Sequence, residues 1–136
     1  MSLFKIFSIA GTGMAAQSQR LNTVASNIAN ADSAAGPDGK AYSARQVVLQ
    51  SVPVDNRDAT AQGVRVASIV ESGAPPRRLH DPKHPMADKD GFVTLANVSV
   101  VEEMVTMIAA SRAYQNNVEV MNTAKNMLAK TLTLGS

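Results

Sequence analysis

Residues 1–32, MSLFKIFSIAGTGMAAQSQRLNTVASNIANAD, decide the fold predicted for this chain of 136 residues. Apolar side chains recur at alternating spacings of four and three, which places them on one stripe of an α-helix, the pattern of a coiled-coil seam. Gln17 is the only polar position in this ladder. Its apolar members are Leu3, Phe7, Ala10, Met14, Leu21, Val24 and Ile28. The stretch predicts one long helix, from Leu3 to about Asn30, in which Gly11 and Gly13 permit a bend or the close approach of another helix.

The C-terminal residues predict a second long helix that can serve as a partner. Ser99 and Glu102 match a capping box, and neither Pro nor Gly follows until Gly135. We expect a helix from about Val100 to Thr131 or beyond. Its predicted apolar stripe comprises Val101, Val105, Ile108, Tyr114, Val118, Met121, Leu128 and Leu132. The hydrophobic free energy gained when two such helices pack together is small relative to the conformational entropy cost of ordering them. We therefore expect them to need further helices from other subunits.

The residues between the helices predict a small β-rich insert. Residues 46–52 favour a strand that Pro53 ends, and further strands are expected at 63–72 and 91–95. Residues 73–90 hold four of the six prolines and predict an irregular loop. The predicted fold class is α+β. Residues 1–32 and 97–136 form an antiparallel coiled-coil domain, and residues 33–96 form the β-rich insert.

Composition and charge argue against several functional classes. The net charge is only +2, aromatic residues make up 4% and there is no Trp, so nucleic-acid binding is not expected. There is no Cys for a disulfide or a thiolate metal site. No window approaches the roughly 18 apolar residues that would predict direct membrane insertion. A cleaved signal peptide is not expected either, because the apolar ladder continues in phase to Ile28.

The residue types that carry chemistry do not form a recognisable site. His80 and His84 lie four apart near Asp81 and Asp88, but the prolines between and after them prevent a helix that would aim them together. The DKDG segment at 88–91 lacks the remaining ligands of a calcium loop. Glu102 and its neighbour at 103 suit a helix N-terminus. We therefore predict no catalytic residue, no metal and no cofactor.

Three segments resemble the flagellar basal-body rod proteins. They are LNTVASNIANADS at 21–33, DPKHPMAD at 81–88, and NVSVVEEMVTMIAASRAYQNNVEVMNTAKNMLAKTL at 97–132. The first looks like the general signature of axial proteins of the rod and hook, whereas DPKHPMAD and VVEEM narrow the resemblance to a proximal-rod member. Ala96 stands where the family is expected to have Pro, which affects only the expected strand-to-helix junction.

The resemblance implies a structural subunit that helps to build the helical drive shaft around the export channel and transmits torque. It also implies partners, namely copies of the chain itself and other rod proteins, and export by the flagellar type III apparatus without a cleaved signal. The implied location is the rod, in the periplasmic space. Helix amides suit subunit contacts, and the predicted assembly interface comprises Leu3, Phe7, Met14, Leu21, Val24, Asn27, Ile28, Asn30, Val105, Ile108, Tyr114, Asn117, Val118, Met121 and Leu128.

Two alternatives stay open from the residues alone. A secreted, membrane-active protein would place its amphipathic ends on a bilayer, but such helices carry a basic polar face and residues 1–31 hold only Lys5 and Arg20 as basic side chains. A small hydrolase would use His80 or His84.

Overall fold

The computed structural model describes residues 2–135 and shows two long helices flanking two antiparallel β-ribbons. The α+β fold class predicted from the sequence is confirmed. In chain order the elements are α1 (Leu3–Ala29), β1 (Arg45–Pro53), β2 (Gln62–Glu71), β3 (Arg77–His80), β4 (Phe92–Leu95) and α2 (Val100–Leu134). β1 pairs with β2 and β3 pairs with β4, in two separate sheets.

The two helices run antiparallel and approach closely because small residues line their contact. Ala10, Gly13 and Ala16 of α1 are buried, as are Ala110 and Ala124 of α2. A Cβ atom built on Gly13 would lie 2.8 Å from the Asn117 side-chain oxygen, which is closer than real Cβ contacts. The glycine therefore permits a close approach of the other helix of the same chain.

The β1–β2 ribbon lies along α1. The Val64 N–H of β2 donates to Thr12 Oγ1 at 3.2 Å. At the turn between the strands, Asp55 and Asp58 place a carboxylate oxygen 2.9 and 3.2 Å from Lys5 Nζ. The ribbon is thus held to α1 both near its middle and at its turn. Its register shifts once, between Val48 and Leu49.

Strand β3 lies within the segment predicted to be an irregular loop, so the prediction is wrong at residues 77–80. All four residues of β3 are exposed, so the strand carries no alternation of buried and exposed side chains. The strand forms because these residues pair with β4, for example Arg78 with Thr94. The Arg78 guanidinium also stacks over the Phe92 ring, 4.6 Å from its centroid.

The capping box predicted at the start of α2 is also wrong. Ser99 is the N-cap, but its side chain accepts no capping hydrogen bond from residues 2–135. Glu103, rather than Glu102, is tied down: its Oε2 accepts from Asn27 Nδ2 of α1 at 3.1 Å. A long-range bond thus fixes the start of α2 where the sequence favoured a local one.

A small core lies where α1 ends, β1 begins and α2 begins. This junction cluster is formed by Ala31, Ala44, Ala96 and Val98. Arg77 donates from its guanidinium to the backbone oxygens of Ala31 at 2.7 Å and Ala96 at 3.1 Å. Ala96, at the position where a Pro was expected, is completely buried and is held by this bond.

Candidate assembly interface

The first two turns of α2 present an apolar surface to solvent. Val101 is 73% exposed, Met104 53%, Val105 63% and Ile108 57%. Their spacings of three, one and three residues put all four on one side of the helix, which we call the α2 face. Apolar side chains grouped in this way on a surface mark an interaction site.

The α2 face is directed away from α1, and the spacing of the predicted stripe explains why. Ile108 and Tyr114 are six residues apart, a step that moves the stripe around the helix rather than along it. Val105 and Ile108 are therefore exposed, whereas the later members of the predicted interface lie partly buried toward α1. Those later members are Tyr114, Asn117, Val118, Met121 and Leu128.

A second apolar surface lies at the free end of the helical hairpin. A groove there, which we call the end groove, is lined by Leu3 and Ile6 of α1 and by Val120, Ala124 and Met127 of α2. Beside it, Phe4 is 70% exposed. The hairpin thus exposes large apolar side chains along α2 and at its end, while most of the residues fully buried in its internal contact are small.

The predicted interface residues of α1 lie along and beside the line that faces α2. Val24 is buried, and the remaining apolar members, Leu3, Phe7, Met14, Leu21 and Ile28, are half-buried. Gln17 has its Oε1 buried without a hydrogen-bond donor among residues 2–135. These half-buried side chains retain apolar area that a neighbouring helix can cover.

Asn27 is a fully buried hub that joins three elements of the same chain. Its Nδ2 donates to Arg45 O at 2.8 Å and to Glu103 Oε2. Its Oδ1 accepts from the Tyr42 hydroxyl at 2.8 Å and from the Arg45 N–H at 2.9 Å. The amide therefore bonds across to α2 of its own chain, whereas the contact with another subunit predicted for Asn27 stays a prediction.

The other two predicted asparagines bond locally. Asn30 Nδ2 donates to Ser26 O at 2.9 Å, and Asn117 Nδ2 donates to Ala113 O at 2.8 Å. Sequence reasoning missed a further hub, Asn97, which accepts from the Ala44 N–H at 2.6 Å and donates to Ala74 O at 2.8 Å. No local pattern marks it, because its partners lie 53 and 23 residues away.

Comparisons with known proteins match the two ends of the chain, which contain the two helices. Residues 7–37 match a model described as "Flagella basal body rod protein", and residues 89–134 match one described as "Flagellar basal body rod FlgEFG protein C-terminal". The chain is 55% identical over 136 residues to the flagellar basal-body rod protein FlgC of Salmonella typhimurium, covering 99% of both chains. It is 38% identical over 149 residues to FlgC of Borreliella burgdorferi, covering 98% of both.

The chain belongs to the FlgC family of flagellar basal-body rod proteins. Its function is that of a structural subunit of the rod. The two family matches include nearly all of α1 and α2 and leave the β1–β2 ribbon outside both. In this FlgC-family chain the matched helices are the elements that carry the α2 face and the end groove.

His84 of the DPKHPMAD segment and His80 just before it have structural contacts in this FlgC-family chain. The His80 ring packs edge-on against Phe92 at 5.0 Å, and His84 Nδ1 accepts from the Met86 N–H at 3.0 Å. Asp88 Oδ1 accepts from the backbone N–H groups of Asp90 and Phe92. Within residues 2–135 no group of three His, Asp or Glu side chains is placed to hold a metal ion.

The tie between α1 and the β1–β2 turn perturbs its ionisable groups. The Thr60 hydroxyl, the Thr60 N–H and Lys5 together lower the pKa of Asp58 to about 2. The Arg57 N–H, followed by Lys5, lowers the pKa of Asp55. Hydrogen bonds from Lys5 to both carboxylates raise the pKa of Lys5. The carboxylates thus act as turn and anchor groups, each bonded to backbone or hydroxyl donors.

None of the helices between residues 2 and 135 is long and apolar enough to cross a bilayer.

Proposed function

We propose that the chain is a subunit of the proximal rod, in which α1 and α2 form the inner helical layer around the export channel. The β-ribbons lie outside this layer, and the packed helices transmit torque. The observation that carries the proposal is the α2 face, because its four large apolar side chains are all more than half exposed. Burial of each such side chain by a neighbour contributes about 1.5–3 kcal/mol.

The proposed partners are copies of this chain and other rod proteins. Val105 and Ile108 contact them through the α2 face, and Leu3 through the end groove. The half-buried Phe7, Met14, Leu21 and Ile28 supply further apolar area at the sides of the hairpin. Asn27, Asn30 and Asn117 act mainly by fixing the shape of the subunit, since their amides bond inside the chain.

Export through the type III apparatus suits a subunit whose fold is easily opened. The fully buried residues of the two helices are mainly alanine and glycine, which contribute little hydrophobic free energy, and the larger apolar side chains at the contact are only half-buried. Residues 3–10 belong to α1, where Lys5 holds the β1–β2 turn, so these residues are part of the folded subunit. We infer export to the periplasmic rod without removal of this segment, and a structural rather than catalytic role.

The α2 face provides the decisive test. The double variant Val105→Asp with Ile108→Asp is expected to abolish swimming and the recovery of rods when it replaces the wild-type chain. Both positions are exposed, so the urea unfolding midpoint of the purified subunit is expected to change little. The matched control, Val105→Ile with Ile108→Val, keeps the face apolar and is expected to swim. Normal swimming of the Asp variant would exclude this face from the interface.

A further inference from the structure

A polar pocket lies between α1, β1 and α2, apart from the apolar surfaces described above. Arg20, Arg45, Gln46, Glu103 and Thr106 are among the residues that line it. Its volume is about 290 Å³, which is enough for several waters or for the end of one side chain.

The charges in this pocket are unbalanced. Arg20 makes no hydrogen bond or ion pair with any of residues 2–135, although it is half-buried. Arg45 makes one long ion pair, 3.8 Å to Glu71, and its side chain is 50% exposed. Glu103 already uses its Oε2 to accept from Asn27. The Arg45 guanidinium also lies over the Tyr42 ring, 5.7 Å from its centroid, so Arg20 is the charged residue of the pocket lining that has no partner among residues 2–135.

The placement of Arg20 makes this imbalance significant. Arg20 and Lys5 are the only charged residues of α1, and Lys5 has two carboxylate partners in its own chain. A guanidinium offers five N–H donors and no acceptor, and it binds carboxylates with two parallel hydrogen bonds. Assembly of the helices would remove water from Arg20, and a charge that loses water requires a partner of opposite sign.

We propose that this pocket receives the carboxylate of an Asp or Glu side chain from an adjoining rod subunit, with Arg20 as its main partner and Arg45 at the pocket mouth. The inference rests on the proposed function, because it assigns one specific contact to the rod assembly. Glu103 also lines the pocket, where it accepts from Asn27, and its negative charge disfavours a densely charged polyanion.

A zero-length cross-link identifies the occupant. Arg20→Lys places a primary amine in the pocket, and a carbodiimide joins an amine only to a carboxylate in direct contact, with loss of water as the amide forms. In basal bodies isolated from cells carrying this variant, mass spectrometry is expected to find position 20 joined to an Asp or Glu in a peptide of another subunit. Joining to Glu103 of the same chain, or no joining at all, would overturn the proposal.

Swimming and rod recovery supply the functional measurement. Arg20→Gln removes the charge while keeping a polar side chain, and it is expected to reduce swimming-ring expansion at least threefold with an unchanged urea midpoint. Arg20→Lys keeps the charge but cannot form two parallel hydrogen bonds, so its swimming-ring expansion is expected to lie between those of the Gln variant and wild type. Equal swimming of the Gln variant and wild type would overturn the contact while leaving the rod function intact. Failure of the wild-type chain itself to restore rods would instead refute the proposed function.

Discussion

The helical hairpin and the junction beside it solve the problem of stability in different ways. At the junction, Asn27, Asn97 and Arg77 satisfy backbone and side-chain groups of the same chain around a buried alanine cluster. The α1–α2 hairpin buries small residues internally and leaves the α2 face exposed. The difference shows that the junction is completed within the chain, whereas the hairpin leaves the apolar side chains of the α2 face uncovered by its own chain.

Substitution of Asn27, in the junction, is expected to have the largest effect on stability. Asn27→Ala would leave the Arg45 N–H, the Tyr42 hydroxyl and the Glu103 carboxylate without a shared partner in a buried site. Each buried polar group left unsatisfied costs about 1–3 kcal/mol, so we expect the free energy of unfolding to fall by about 3 kcal/mol. Urea unfolding of the purified subunit, followed by circular dichroism, measures this loss.

A matched control for that prediction lies on the same helix. Asn22 is exposed and has no hydrogen-bond partner within residues 2–135, so Asn22→Ala is expected to change the free energy of unfolding by less than about 0.5 kcal/mol. Similar losses for the two variants would mean that the junction is not the internally completed part of the subunit.

The same contrast explains what could be predicted from the sequence. The helices were predictable because the four-and-three spacing from Leu3 to Ile28 is a local pattern, and α1 begins and ends within about a residue of its predicted bounds. Strand β3 was not, since its exposed residues become a strand only by pairing with β4. The change of face between Ile108 and Tyr114 lies in the spacing itself, but a single continuous stripe was predicted.

Residue type alone was enough to select part of the candidate interface. The geometry of the interface could not be predicted, because it depends on contacts between residues far apart in the chain. Asn27 was selected because amides bond well between helices, but its partners lie 18 and 76 residues away in the chain. Arg20 was noted only as one of two basic residues. The sequence did not show that Arg20 lacks a partner, because the residues around it belong to β1 and α2. The predicted contacts with other subunits stay predictions that the variants above test.

The two glycines of α1 test the hairpin with a smaller expected effect. Ala is favoured over Gly within a helix by about 1 kcal/mol. At Gly11 the nearest atom to a new Cβ is Met121 Cε at 3.9 Å, an ordinary contact, so Gly11→Ala is expected to stabilise the subunit by about that amount. At Gly13 the new Cβ would lie 2.8 Å from Asn117 Oδ1. Gly13→Ala is therefore expected to gain nothing or to lose stability.

A double variant tests whether the close approach of Asn117 to Gly13 is the reason that Gly13→Ala gains no stability. Removing the Asn117 amide in Gly13→Ala with Asn117→Ala is expected to restore most of the gain seen at Gly11. Thermal unfolding of the four proteins measures the series. Equal stabilisation by the two single variants would show that the helices have room to separate, and that the small residues do not set their distance.

The smallest expected effect concerns the tie between the β1–β2 turn and α1, which is exposed and therefore weak. The pKa of Asp58 is about 2 in the folded chain, below its ordinary value of 3.8. The unfolded chain therefore binds this proton first as the pH falls, so the contribution of Asp58 is complete above about pH 4 and is lost toward pH 2. Asp58→Asn is expected to make the urea midpoint depend less on pH within that window.

The cause of the low pKa of Asp58 distinguishes two explanations of what supports the turn, namely hydrogen bonds from Thr60 or the charge of Lys5. Thr60 lowers the pKa of Asp58 through two hydrogen bonds, ahead of Lys5, and salt screens the attraction of an exposed lysine far more than it weakens a short hydrogen bond. Thr60→Val removes the bond from the hydroxyl, which is the larger of the two contributions, and keeps the backbone N–H. It is therefore expected to flatten the pH dependence more than Lys5→Met, and the difference is expected to persist at high salt. The opposite order would make the lysine the main support of the turn, and the ribbon would then be held to α1 chiefly by charge.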